Sequence, residues 1–132
     1  YEIQASDWSS DVCSSDLAIS PKEQIQFLHQ FITHKLPVSE EAYDMAYATL
    51  PKYQANDGWV VHGKSGSGWL RSDNGKINEN QPQGWFVGWA EKGNRQVIFA
   101  RLEIQNAKSS MPGGTKAREE VLVELPILMS DK

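Results

Sequence analysis

The residues able to do chemistry in this chain crowd into one stretch, Trp59-Val60-Val61-His62-Gly63-Lys64-Ser65-Gly66-Ser67-Gly68-Trp69. Lys64 brings an ammonium, Ser65 a hydroxyl, and the glycines a bare backbone. A lysine charge draws in an anion, and an adjacent hydroxyl can hydrogen-bond the same anion. Glycine lets that molecule approach the main chain. Trp59, Val60 and Val61 are aromatic or β-branched, which suits a pleated strand. The stretch therefore reads as a strand carrying an anion site. On its own, Lys64 would read as a solvated charge at a strand end.

A second run, Gly84-Trp85-Phe86-Val87-Gly88-Trp89, shifts that balance. Lys64-Ser65-Gly66 resembles the Lys-Thr/Ser-Gly motif of penicillin-recognising serine enzymes. Followed by Gly-Trp-x-x-Gly-Trp, it resembles the class D (oxacillinase) serine β-lactamases. It is also similar to the penicillin-sensing domain of transmembrane β-lactam receptors. The resemblance covers Ala18 to Lys132, as the C-terminal part of such a domain.

That resemblance implies acyl transfer. A serine attacks the lactam carbonyl, an oxyanion hole holds the tetrahedral charge, and water clears the acyl-enzyme. By resemblance, Lys64 supplies positive potential within Lys64-Ser65-Gly66, and Ser65 hydrogen-bonds the drug's carboxylate. The backbone N–H of Ser67 is one of two oxyanion donors. Arg118, near the start of the last helix, forms a salt link with the same carboxylate, as its planar donor fork suits. Its other reading is a helix-surface charge paired with Glu119 or Glu120.

The acylating half is not found in the sequence. In the resembled family the nucleophile sits in a Ser-x-x-Lys motif whose lysine, carbamylated in class D enzymes, is the general base. No serine here has lysine three residues on. From Ala18 onward neither Ser-x-Val nor Tyr-Gly-Asn occurs. The chain alone is expected not to turn over, while its parent is a hydrolase of β-lactam antibiotics. The alternative is the same part of a β-lactam receptor, which acylates but barely deacylates. Trp89 leans towards the enzyme. The resemblance also implies a β-lactam as ligand, no cofactor or metal, a periplasmic or secreted parent, and a homodimer as one option for the parent's assembly.

Other residues read as bystanders. Ser72-Asp73-Asn74 spells a motif of class A enzymes, but there it precedes the lysine motif and lies among helices. His62 could do acid–base work, yet with no nucleophile to serve it reads as a strand histidine. Arg101 reads as a partner of Glu103 or another acid. Trp85 and Trp89 share one strand face and read as packing against a helix.

The elements that must hold these residues follow from local signals. Ser20-Pro21-Lys22-Glu23 predicts a capped helix start. Ile25, Phe27, Leu28, Phe31 and Ile32 give it a wide apolar face, and Pro37 is expected to stop it. Ser39-Glu40-Glu41 opens a second helix carrying Ala42, Met45, Ala46 and Leu50, ended by Pro51. Gln54 to Gly58 reads as a turn, and Arg71 to Gln83 as an exposed connection. Gln83 to Glu91 and Gln96 to Gln105 read as strands joined by the turn Lys92-Gly93-Asn94-Arg95. In the latter strand Ile98, Ala100, Leu102 and Ile104 share one face, and Val97, Phe99, Arg101 and Glu103 the other. Thr115 to Leu125 reads as a helix with Val121, Leu122 and Leu125 inward, ended by Pro126. The expected fold is α+β: a three-stranded antiparallel sheet with N-terminal helices and a C-terminal helix, part of the serine β-lactamase/penicillin-binding transpeptidase-like fold that the resemblance implies. One edge strand should lack a partner.

Composition narrows the classes. Of the 132 residues 13 are Lys or Arg and 17 Asp or Glu, a net charge of −4. There is no basic stripe, so nucleic acid is not suggested as a partner. No apolar run is long enough to span a membrane, and no signal-peptide core precedes the first helix. Cys13 has no second cysteine to pair with. Asp7 to Leu17 resembles a translated sequencing-library adapter, and Tyr1 to Ser6 matches the sequence upstream of it. Residues 1–17 are therefore expected to be non-native, disordered and outside the domain, with the genuine reading frame entered inside a gene. A polar Ser/Asp-rich tail is the plainer reading.

Overall fold

Ser20 starts the first helix as its neighbours require. Its hydroxyl accepts from the Glu23 N–H at 3.2 Å, and the Glu23 carboxylate accepts from the Ser20 N–H at 2.8 Å. This reciprocal cap, with Pro21 in the first turn, opens α1 (Pro21–Ile32). The computed structural model of the chain describes residues 19–130. The expected foreign segment, residues 1–17, lies outside them.

Leu28 and Phe31 of α1 are buried, while Phe27 stays half exposed. The helix ends well before Pro37. Thr33 closes it, with its N–H on His29 O, and His34 takes a left-handed φ of 53°. A residue in that conformation ends a helix without help from proline. The second helix, α2 (Glu40–Thr49), is capped by Ser39, whose hydroxyl accepts from the Ala42 N–H at 3.2 Å. Its inward stripe is Tyr43, Ala46, Tyr47 and Leu50, spaced i, i+3, i+4 and i+7. Met45 lies off that stripe and is 64% exposed, contrary to the apolar face expected of it.

The sheet has four antiparallel strands rather than three, in the order β1-β2-β3-β4. These are β1 (Lys52–Gln54), β2 (Val60–Arg71), β3 (Ile77–Lys92) and β4 (Arg95–Ile104). The added strand is too short to show a periodicity. It exists because Tyr53 pairs with Val61 across a short 3-10 turn, Asn56–Gly58, where Asp57 and Gly58 have φ of 58° and 76°. The stretch expected as a connection, Arg71 to Gln83, is mostly strand. Only the tip around Ser72 to Lys76 turns, closed by Ser72 N–H on Lys76 O at 2.8 Å. Its polar sequence reflects a hairpin end with an exposed surface, not a lack of pairing. The β3–β4 hairpin forms where expected, with Lys92 opposite Arg95 and Gly93 at φ 59°.

Helices cover both faces of the sheet. On one face Val61, Phe86 and Ala90 pack with Ala117, Val121 and Leu125 of α3 (Gly113–Leu128), joined by Val97, Phe99 and Leu122. On the other, Trp89 packs with Leu28, Phe31 and Tyr43, joined by Val87 and Ile98. The expected split of β4 into two faces is therefore observed, as is the packing of Trp89 on a helix. Arg101 pins β4 to α3 by reaching Glu103, Glu120 and Glu124, each at 2.6 Å.

Two expectations for α3 change. It begins at Gly113, not Thr115, and it runs through Pro126 to Leu128. The proline removes one hydrogen bond, to Leu122. Leu125 and Pro126 are both buried, and Met129 N–H closes the last turn on Leu125 O at 3.0 Å. Among the described residues β4 has no partner on its outer edge.

Candidate functional site

The short strand β1 leaves most of β2 without a neighbour on that side. Pairing stops at Lys52 with His62, followed by one bond from the Gly63 N–H to Pro51 O at 3.3 Å. Past Gly63, no strand among the described residues pairs with the outer edge of β2.

Alternation then decides which backbone groups face that edge. Successive residues of a strand point their N–H and C=O to opposite sides. Gly63 directs its N–H outward to Pro51, and the β2–β3 register runs without a slip from Val60 to Trp69. Ser65 and Ser67 therefore present their N–H and C=O groups on the open edge. Lys64 Nζ donates to Ser65 O at 2.9 Å, so the ammonium stands at that edge too.

The side chains divide between the two faces. Ser65 and Ser67 lie on the α3 side, with Val61. Lys64 lies on the other side, with His62, opposite Val87. His62 stacks on Trp89 with ring centroids 4.9 Å apart and planes 7° from parallel. Its Nε2 lies 3.3 Å from the Glu91 carboxylate. It is 9% exposed, so it is a packed strand histidine with its partner in place.

The start of α3 rests on the same stretch. The Gly114 N–H donates to Ser67 Oγ at 2.9 Å. A Cβ on Gly114 would come within 2.5 Å of Gly66 O, and one on Gly84 would overlap the Gly113 carbonyl. A Cβ on Gly88 would overlap His62 O. The glycines of Gly84-Trp85-Phe86-Val87-Gly88-Trp89 are thus places where backbone meets backbone. Sequence reasoning missed this docking; the signal for it was the pair Gly113-Gly114 just before the expected helix.

Arg118 makes its contacts with β1 and within its own helix. Its guanidinium lies over the Tyr53 ring at 5.2 Å and donates to the Glu119 carboxylate at 2.9 Å. Glu119, and then Tyr53, hold it in the charged form. Tyr53 is opposite Val61 on the α3 face of the sheet, the face away from the Lys64 side chain.

A different charge cluster joins β4 to α3. The hydrogen bond to Glu103, with burial, raises the Glu120 carboxyl above the ordinary range. The same bond lowers Glu103, and Arg101 and Lys116 lower it further against its burial. Among the described residues no three His, Cys, Asp or Glu side chains are grouped to hold a metal, and no helix is long and apolar enough to cross a membrane.

Residues 3–126 match the family model described as penicillin binding protein transpeptidase domain. The chain is 75% identical over 118 residues to β-lactamase OXA-9 of Klebsiella pneumoniae, which covers 89% of this chain and 43% of that protein. Among solved structures, the OXA-427 class D β-lactamase superposes with a TM-score of 0.74 at 38% identity, over 87% of this chain and 47% of the other. The C-terminal domain of the Bacillus licheniformis BlaR penicillin-receptor does so with a TM-score of 0.63 at 26% identity, over 88% and 42%. The chain thus spans less than half the length of each of these relatives. With its four-stranded sheet, its helices on both faces and its lysine-hydroxyl-glycine stretch on an open strand edge, it belongs to the penicillin-binding protein transpeptidase family, as the C-terminal portion of a class D β-lactamase fold.

Proposed function

We propose that this chain is the β-lactam-recognition wall of a class D serine β-lactamase, whose intact form hydrolyses β-lactam antibiotics through a serine acyl-enzyme. One relationship carries the reading. The N–H groups of Ser65 and Ser67 face an edge of β2 that no described strand pairs with, and Lys64 Nζ stands 2.9 Å from Ser65 O at that edge. A lactam carbonyl laid along this edge meets a backbone donor, and its neighbouring carboxylate meets an ammonium and a hydroxyl. In this reading Ser67 N–H is one oxyanion donor, Ser65 Oγ and Lys64 hold the carboxylate, and Gly66 leaves room for the approach. Arg118 is engaged with Tyr53 and Glu119, and Lys64 is the principal cation in this reading. No cofactor takes part. The parent works in the periplasm or as a secreted protein.

No serine in the sequence has lysine three residues on, so the chain alone binds without turnover. Two measurements test this. The chromogenic cephalosporin nitrocefin should stay intact with the chain; measurable hydrolysis overturns the inactivity. Benzylpenicillin should move the backbone amide signals of Lys64 to Ser67; a titration that leaves them still overturns the recognition site. The receptor reading has the BlaR likeness in its favour. A parent that acylates and holds the drug, without release, would select it.

A further inference from the structure

The geometry points to Ser67 as a positioning residue whose hydroxyl, and not only its backbone, serves the site; this rests on the recognition reading above. Helix α3 needs partners for its first N–H groups, yet its N-cap residue, Pro112, offers no side-chain bond. Ser67 supplies one from a strand 47 residues away, taking the Gly114 N–H at 2.9 Å. The contact is tight on every side. Gly114 has no room for a Cβ between Gly66 O and Ser67 Oγ, and Gly84, opposite Ser67 on β3, sits under Gly113.

This part of β2 is paired on its inner edge, with β3, where Ser67 lies opposite Gly84. Its outer edge has no described strand partner, and the register breaks between Trp69 and Arg71. A strand free on one side opens more readily than a paired one. Pairing with β3 sets the side to which the Ser67 N–H points, and the Ser67 Oγ bond to α3 is the further tie that steadies it. The hydroxyl acts through Gly114 and the helix start, without touching the ligand. The pair Gly113-Gly114, useless as a side-chain source, is what lets the helix come close enough to be held.

The test uses the full 132-residue chain, benzylpenicillin as the probe, and backbone amide signals as the readout. Ser67→Ala should weaken binding about three- to tenfold, the usual effect of losing one such bond, and should speed amide exchange at Ser67 and Gly114 in the ligand-free protein. Ser67→Thr, which keeps the hydroxyl, should restore both. If Ser67→Ala does not fold, Ser67→Thr and Ser67→Val, alike in shape and different in the hydroxyl, are compared in the same way. Unchanged affinity in the variant lacking the hydroxyl overturns the role. So does weaker binding with unchanged exchange, which would mean direct contact with the drug. Both leave the recognition reading standing. Wild-type amides that ignore benzylpenicillin overturn that reading and this role together.

Discussion

The Arg118 guanidinium lies 5.2 Å above the Tyr53 ring and ties α3 to the short strand β1. That strand decides how much of the β2 edge is covered. Arg118→Ala should lower stability by about 1 kcal/mol, through the lost cation–π contact. It should change benzylpenicillin affinity less than about twofold. A loss of tenfold or more, measured by titration, would put the guanidinium on the carboxylate after all.

Lys64 stands at the open edge with its ammonium on a neighbouring carbonyl. Lys64→Ala should reduce penicillin affinity by about tenfold or more, since a charge-assisted contact to a carboxylate is among the stronger ones. Wild-type binding should also weaken as salt rises, and the variant should lose that dependence. Salt-independent wild-type binding would remove Lys64 from the site.

Two glycines should part company on substitution. A Cβ on Gly84 would overlap the Gly113 carbonyl, so Gly84→Ala should cost about 3 kcal/mol in chemical unfolding. Gly66 has open space around a built Cβ. Gly66→Ala should leave stability within about 0.5 kcal/mol, and narrow the approach to the edge so that penicillin binds more weakly.

The Glu103–Glu120 pair sets a pH dependence with two limbs. Glu120 is raised by its bond to Glu103, so its contribution is present below the ordinary glutamate range and fades as pH rises through the raised value. Glu103 is lowered, so its contribution is present above the ordinary range and is lost as pH falls through the lowered value. Melting temperature should therefore peak in mild acid. Glu120→Gln should abolish the decline on the alkaline side. Arg101→Met, which leaves three carboxylates facing one another, should cost about 2 kcal/mol near neutral pH and recover on acidification.

Much of this was legible from residues alone, and where it failed the failures share a cause. The capping box at Ser20, the hairpin at Gly93 and the two-faced pattern of β4 are signals spanning a few residues, and each is in place. The end of α1 at His34, the continuation of α3 past Pro126 and the strand at Tyr53 depend on what packs against them. Met45 shows the same limit. It has the right type for an apolar stripe, and the wrong angle once Tyr43 has taken the core.

The sequence by itself determined the chemistry on offer: a lysine, a hydroxyl and bare backbone in one strand. Residue types and their spacing are written in the covalent order, so no folding is needed to read them. Tertiary structure alone decided that Ser65 and Ser67 turn their N–H groups to an edge with no strand partner among the described residues, that Lys64 and Arg118 stand on opposite faces, and that a helix start 47 residues on is moored to Ser67. Those facts depend on where one strand stops and which helix covers which face, and packing between distant segments sets both.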